Sequence, residues 1–225
     1  MASAQRAERT GLTRDDLADA ALRLLERDGP KGLSMRKVAA EVGVQAASLY
    51  WHVQNKEELL DLASDALWAD IDIRTLTATP PAHWRDGVAE MARRLRTHLL
   101  ARPNAVRVLA GRFSPGPRAL AGMEALIDIL RRAGFGGTDA VNAAYLVSTW
   151  VQGFVVHESV PMSAAEEPGA TPGEALAEAR RRLAALPAER YPNVRELAEE
   201  IAGPSMDSRF EFGLARLLDG LEPLR

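Results

Sequence analysis

Apolar residues recur along almost the whole chain at spacings of three and four, the repeat of one face of an α-helix. Leu17, Ala20, Ala21, Leu24 and Leu25 mark a first helix that starts at Thr13, carries Asp16 at the capping-box position and stops at Gly29-Pro30. Met35, Val38, Ala39 and Val42 mark a second behind the N-cap Ser34, and Gly43 supplies the left-handed residue by which the chain leaves it. A third starts near Gln45 or Ala46 and buries Leu49 and Val53. Asn55 and Glu58 form a capping box for a fourth, whose face of Leu59, Ala63, Ala66 and Leu67 continues to about Ile71. Pro80-Pro81 forbids helix through the segment that follows.

The same reading continues to the end of the chain. Trp84, Val88, Met91, Leu95 and Leu99 form a long stripe that stops before Pro103, and a short helix spans about Ala105 to Ala110. Leu120, Met123, Ile127 and Leu130 mark the next helix, closed by Gly134 before Phe135. Thr138 is placed to cap a nearly uncharged helix running to about Val160. Helices follow over Glu174 to Leu186 and over Val194 to Ala202, the latter with Asn193 and Glu196 as a capping box. Phe210, Gly213, Leu214, Leu217 and Leu221 line a last helix over about 208–222. No stretch alternates with period two and no repeat is present, so the expected class is all-α. The layout expected is a flexible arm at 1–11, a compact three-helix head with its fourth helix over 12–70, a linker at 71–82 and a helical body over 83–225, with a mobile loop at 160–173.

The stretch from Ser34 to Lys56 carries the chemistry. With Leu49 and Val53 turned inward, Ser48, Tyr50, Trp51 and His52 cannot all be buried as well. Two short helices joined by a glycine turn, the second displaying hydrogen-bonding tips and a large ring, have the form of a helix-turn-helix whose second helix enters the major groove. The alternative is a helical bundle with an aromatic patch.

Charge alone does not point to nucleic acid. The chain of 225 residues carries a net charge of −3, and residues 1–60 balance nine basic against nine acidic side chains. Only local placement supports DNA binding, with Arg36, Lys37 and Lys56 flanking the proposed recognition helix. There is no cysteine, which excludes disulfides and thiolate chemistry. The N-terminus shows no apolar signal region, and the longest uncharged run, Ala140 to Val156, is short for a membrane span and contains Asn142, Ser148, Thr149 and Gln152. A cytoplasmic protein without a membrane partner or a bound cofactor is expected.

SMRKVAAEVGVQAASLYWHVQNKEELLD, within a block from Leu12 to about Ala69, resembles the DNA-binding domain of the tetracycline-repressor (TetR) family of regulators. FEFGLARLLDGLE and, more weakly, RRAGFGGTDAVNAAYLVSTWVQGFVV resemble the effector domain of the subgroup containing the tetracycline repressor itself. The resemblance implies DNA-facing roles for Arg36, Ala46, Ala47, Ser48, Tyr50, Trp51, His52 and Lys56. Arg36 suits a guanine edge or a phosphate, against the alternative of an ion pair with Glu41 or Asp28. Tyr50 and His52 suit phosphates, and Trp51 suits a sugar or thymine methyl unless it packs inside the head. Lys56 opens a helix whose N-terminal N–H groups also favour phosphate. Ala46-Ala47 stands where the tetracycline repressor has Gln-Pro, so a different operator and some shape readout are expected.

The resemblance further implies a ligand-responsive repressor that binds a palindromic operator as a homodimer, with two recognition helices about 34–36 Å apart. Val141, Tyr145, Ser148 and Gln152 on the uncharged helix, with Phe210, Leu214, Leu217 and Leu221 on the last, are the expected dimer surface. His98, Asn104, Arg112, Phe113, Met123, Tyr145, Trp150, Gln152 and His157 are the candidates to line an effector site, core or surface being the ordinary place for each. The histidine that holds magnesium in the tetracycline-bound relative aligns with Leu109, ahead of Gly111; a ligand-contacting glutamine aligns with about Leu126; and a metal-linked acid aligns with His157, beside Glu158. A larger, mainly apolar effector is therefore expected, and no metal. No enzyme motif is present, and His157 and Glu158 diverge by about 100° on one helix. The other readings are a DNA-binding regulator gated by a partner, or an all-α ligand-binding protein or enzyme.

Overall fold

A computed structural model describes residues 11–29, 31–69, 71, 80–109, 112, 116–159 and 172–225. Most of the arm expected at 1–11, most of the linker at 71–82 and most of the loop at 160–173 lie outside them. Among the described residues the only regular elements are helices: α1 (Arg14–Asp28), α2 (Met35–Val42), α3 (Ala46–Leu49), α4 (Lys56–Ala66), α5 (Trp84–Leu100), α6 (Pro103–Leu109), α7 (Pro117–Arg132), α8 (Gly137–Glu158), α9 (Pro172–Ala184), α10 (Pro192–Glu196), α11 (Ala198–Ala202) and α12 (Met206–Leu221). They form two compact units, one reaching to Ser159 and including Gly220–Arg225, the other spanning Val160–Asp219.

Caps set the head. Thr13 accepts from the Asp16 N–H while Asp16 accepts from the Thr13 N–H, completing the capping box of α1. Ser34 caps α2, and Gly43, at φ 78°, ends it in the left-handed region. Leu17, Leu24 and Leu25 of α1 meet Leu49, Val53 and Leu59 in a fully buried core. Each such leucine contributes roughly 1.5–3 kcal/mol through burial, enough for a small head to hold a four-residue helix that would not persist alone. The fourth helix ends at Ala66 rather than near Ile71, with Leu67 as its cap.

In the same unit, α5 and α8 run beside each other, with α6 and α7 packed against both and against head helix α4. Trp84 and Phe135 meet edge to face at 5.0 Å, and Arg96 and Glu158 form a two-pronged ion pair that pins the end of α8 to α5. α8 begins at Gly137 behind Gly136, so Thr138 lies inside the helix rather than capping it. The buried face of α7 is Ala125, Leu126, Ile129 and Leu130, while Leu120 and Met123 are exposed. Apolar residues cover a broad arc of that helix, so its periodicity admits more than one stripe.

In the second unit α9 begins at Pro172, inside the expected loop, and Arg180 reaches Glu199 at 3.2 Å. The helix expected over Val194 to Ala202 is two, α10 and α11, broken at Leu197 with φ −96° and ψ 25°. Asn193 lies within α10 and supplies no cap, because Pro192 already opens the helix. Ser205 caps α12 by accepting the Ser208 N–H at 3.1 Å.

Candidate functional site

The recognition element is a short helix drawn out into a tight turn. α3 ends at Leu49, and Tyr50, Trp51 and His52 follow in the turn, with the His52 N–H donating to the Leu49 carbonyl at 2.8 Å. Leu49 and Val53 are buried beneath it, which drives the intervening side chains outward. Trp51 is 89% exposed and Tyr50 57%, so packing inside the head is ruled out for Trp51. Ala47, Arg36 and Lys56 are exposed beside them, and Ala46, Ser48 and His52 are half-buried.

The acidic side chains near this face are already engaged. Glu41 is held by Arg23 and Arg27, each at 3.3 Å. Asp28 is held by Arg27 at 3.0 Å and Lys37 at 3.7 Å, and the Arg27 hydrogen bond holds its carboxyl below the usual carboxylate range. Neither is paired with Arg36, which has no ion-pair partner among the described residues. A head of balanced formal charge thus still presents an unpaired guanidinium beside the aromatic turn.

Two head carboxylates tie this element to the body. Glu26 of α1 accepts the Asn104 and Ala105 N–H groups at 3.0 and 3.2 Å, capping α6 from outside. Asp65 of α4, buried, accepts the Arg118 and Ala119 N–H groups at 3.0 Å each, capping α7 in the same way. Arg112 adds ion pairs to Glu57 at 2.9 Å and Asp61 at 2.8 Å, and Arg118 pairs with Asp15 at 3.0 Å.

At this junction lies a cavity of about 30 Å³ lined by Ser64, Leu67 and Trp68 from the α4 end, Leu99, Val106 and Leu109 from the body, and Arg112 and Gln152. Arg112 Nε is buried without a hydrogen-bond partner among the described residues, an atom that a polar ligand group would satisfy.

Matches to known proteins follow this division. Residues 17–63 match the family described as bacterial regulatory proteins, tetR family, and residues 77–225 match the tetracyclin repressor-like C-terminal domain. The chain belongs to the TetR family. It is a transcriptional regulator rather than an enzyme, and regulators of this family bind DNA as dimers and take small-molecule effectors. It is 36% identical to the tetracycline repressor protein class A of Escherichia coli, over 96% of this chain and 93% of that one. It is 42% identical to an HTH-type transcriptional regulator of Saccharopolyspora erythraea over 149 residues, which span 66% of this chain and 62% of the relative. ActR of Streptomyces coelicolor, solved in complex with actinorhodin, superposes with a TM-score of 0.80 at 33% identity, over 94% of this chain and 96% of that one.

Of the described effector-site candidates in this TetR-family chain, Arg112 and Gln152 line the cavity and the other described ones do not. Asn104 donates its side-chain amide to the Glu26 carbonyl at 2.9 Å. His98 Nε2 lies 2.7 Å from the Leu67 carbonyl and 3.4 Å from Arg102 Nη1. Trp150 meets Phe154 in a tilted ring contact at 5.6 Å, Met123, Tyr145 and His157 face outward, and Phe113 lies outside the described residues. The cavity residues missing from the candidates are mostly hydrocarbon, with nothing but helical spacing to mark them.

The dimer candidates divide. Val141 and Tyr145 are exposed on α8, with Ser148 and Gln152 half-buried beside them. Phe210, Leu214 and Leu221 are buried and offer a second copy no surface; Leu217 is half-buried, and Phe212 is the large exposed apolar residue of α12. The pattern on α12 is that of an amphipathic helix turned inward, and spacing does not distinguish a protomer core from a subunit interface. No helix among the described residues is long and apolar enough to cross a membrane.

Proposed function

We propose that this TetR-family regulator is a repressor that binds a two-fold operator as a homodimer and is released from it by a small, largely apolar effector. The observation that carries the DNA half is the exposed Tyr50-Trp51 turn together with an exposed Arg36 that has no ion-pair partner among the described residues. The exposed face of α8, with Val141, Tyr145 and Leu146 and no charge from Ala140 to Val156, supports pairing of two copies. The similarity to a tetracycline repressor supports repression.

The effector half rests on the junction cavity. Its walls are mainly hydrocarbon, and Leu109 there offers no ligand to a metal, which favours an apolar effector over a metal-bound drug. The ActR complex with actinorhodin supports an organic effector of substantial size. About 30 Å³ holds a water or two, whereas the pockets of drug-sized ligands measure roughly 300–1,000 Å³. An effector therefore parts the walls, and because one wall is head helix α4, parting them moves the head. That is differential affinity for two arrangements, the requirement for release.

Selection from random duplexes with the purified chain, followed by a salt titration of the winner, tests the DNA half. An inverted repeat whose affinity falls steeply with salt is the expected result. An asymmetric winner, or none, overturns the two-fold reading. The same duplex then reports effector release.

A further inference from the structure

Arg14 opens α1, on the side of the head where the recognition turn ends. Its Nη1 donates to the His52 carbonyl at 2.6 Å and its Nη2 donates to Glu58 Oε1 at 2.7 Å. The other Glu58 oxygen accepts the Gln54 N–H at 2.8 Å. One guanidinium and one carboxylate thus join the start of α1, the last residue of the Tyr50-Trp51-His52 turn and the residues leading into α4. The side chain expected to complete the Asn55 capping box reaches Gln54 instead, one residue earlier, because Arg14 holds its other oxygen.

We propose that Arg14 is a positioning residue for DNA recognition, clasping the C-terminal end of the recognition element through the His52 carbonyl and Glu58. The inference deepens the DNA-binding reading above. Carbonyls at the end of a helix have no intrahelical donors, and a cation there is favourable. α3 is four residues long, and its turn is held from within by bonds such as His52 N–H to the Leu49 carbonyl and Tyr50 N–H to the Ala47 carbonyl at 3.3 Å. Leu49 and Val53 bury the two ends of the turn. The clasp adds a tie to the His52 carbonyl between them.

A pair as exposed as this one, with half of the Arg14 side chain accessible, adds little to global stability. Its loss is therefore felt locally, as a smaller fraction of heads in the binding-competent form. Apparent affinity falls by that fraction, once for each head of a dimer. Heads competent about a third of the time give roughly a tenfold weaker complex.

The test uses the full chain and the duplex that the wild type selects. Arg14→Gln and Glu58→Gln are expected to weaken binding about tenfold while the salt slope and melting temperature stay at the wild-type values. Arg14→Lys, which keeps the charge but cannot reach two oxygens as a planar fork, is expected to fail to rescue. Amide exchange in the free protein supplies a readout independent of DNA. In Arg14→Gln it should speed up at Val53 and Gln54 and remain unchanged in α2. A salt slope reduced by about one per head makes Arg14 a phosphate contact and overturns the proposal. Full rescue by lysine, or wild-type exchange at Gln54, overturns it too. Failure of the wild type to select any duplex counts against the operator reading, while the exchange result still decides the clasp.

Discussion

Asp65→Ala should be among the most damaging single changes at the head–body junction. Asp65 is buried, and one of its oxygens accepts two N–H groups at the start of α7, each at 3.0 Å. Removing it leaves two helix-terminal donors without their acceptor in a part-buried site. A helix cap is worth about 1 kcal/mol and a hydrogen bond to a charged acceptor roughly 1.5–3, so a loss of about 3 kcal/mol is expected. Asp65→Asn keeps an acceptor oxygen and loses the charge, for a cost of about 1 kcal/mol. At roughly 2–4 °C per kcal/mol for a chain of this size, alanine should lower the melting temperature by about 6–12 °C and asparagine by a third of that. Thermal unfolding followed by circular dichroism at fixed protomer concentration reads both. A methyl on Gly116 would fall on the Asp65 carboxylate, so Gly116→Ala should displace the cap and resemble Asp65→Ala. The double variant should then cost clearly less than the sum, since the collision disappears with the carboxylate. Additive costs, or an alanine effect under 0.5 kcal/mol, would refute the external cap.

Trp51→Ala should weaken operator binding by roughly tenfold or more and leave the melting temperature unchanged, because the ring is 89% exposed and holds nothing in the head; equal losses in both would show hidden packing. Leu49→Ala is the counterpart, with about 2–5 kcal/mol lost from the head core and DNA binding lost with it, measured by urea unfolding. The Asp16 carboxyl is held below its usual range first by the Thr13 hydroxyl, and the Glu58 carboxyl first by the Gln54 N–H. Folded values below unfolded ones mean stability present above the ordinary carboxylate range and lost as pH falls through the depressed folded values; Thr13→Ala should flatten that acid limb in a pH series of unfolding curves. Breaking the Arg96–Glu158 pair with Glu158→Ala should cost about 2 kcal/mol, since it removes two charge-assisted hydrogen bonds between mostly buried side chains, whereas a loss below about 0.5 kcal/mol would mean solvent or other contacts of Arg96 replace them.

The head was legible because its signals are local. Thr13, Ser34 and Asn55 act within three residues of themselves, Gly43 within one turn, and alternation between Leu49, Val53 and the Tyr50-Trp51 pair dictates which side is wet. The body resisted for the opposite reason. α7 is apolar on several sides, so the choice between a stripe through Met123 and one through Leu126 depends on neighbours that spacing does not name. Phe210 and Leu214 carry the same pattern whether a helix faces its own protomer or a second copy. Asn104 and His98 have polar tips of the kind that meet a ligand, and they spend them on Glu26 and Leu67 in the chain's own joint.

That joint left one mark in the sequence. α6 and α7 each open on proline, Pro103 and Pro117, and neither is preceded by serine, threonine, aspartate or asparagine: Arg102 and Gly116 stand at the cap positions. Proline at the first position removes one orphan donor, but the next two N–H groups still need an acceptor. A proline-led helix without a capping side chain therefore asks where its acceptor comes from, and in both cases the answer is a carboxylate from the head, Glu26 for α6 and Asp65 for α7. Local caps would have let the body fold indifferent to the head. Caps imported from α1 and α4 make the end of each body helix and the position of the head a single equilibrium, so a ligand that shifts α6 or α7 must also break or carry a head carboxylate.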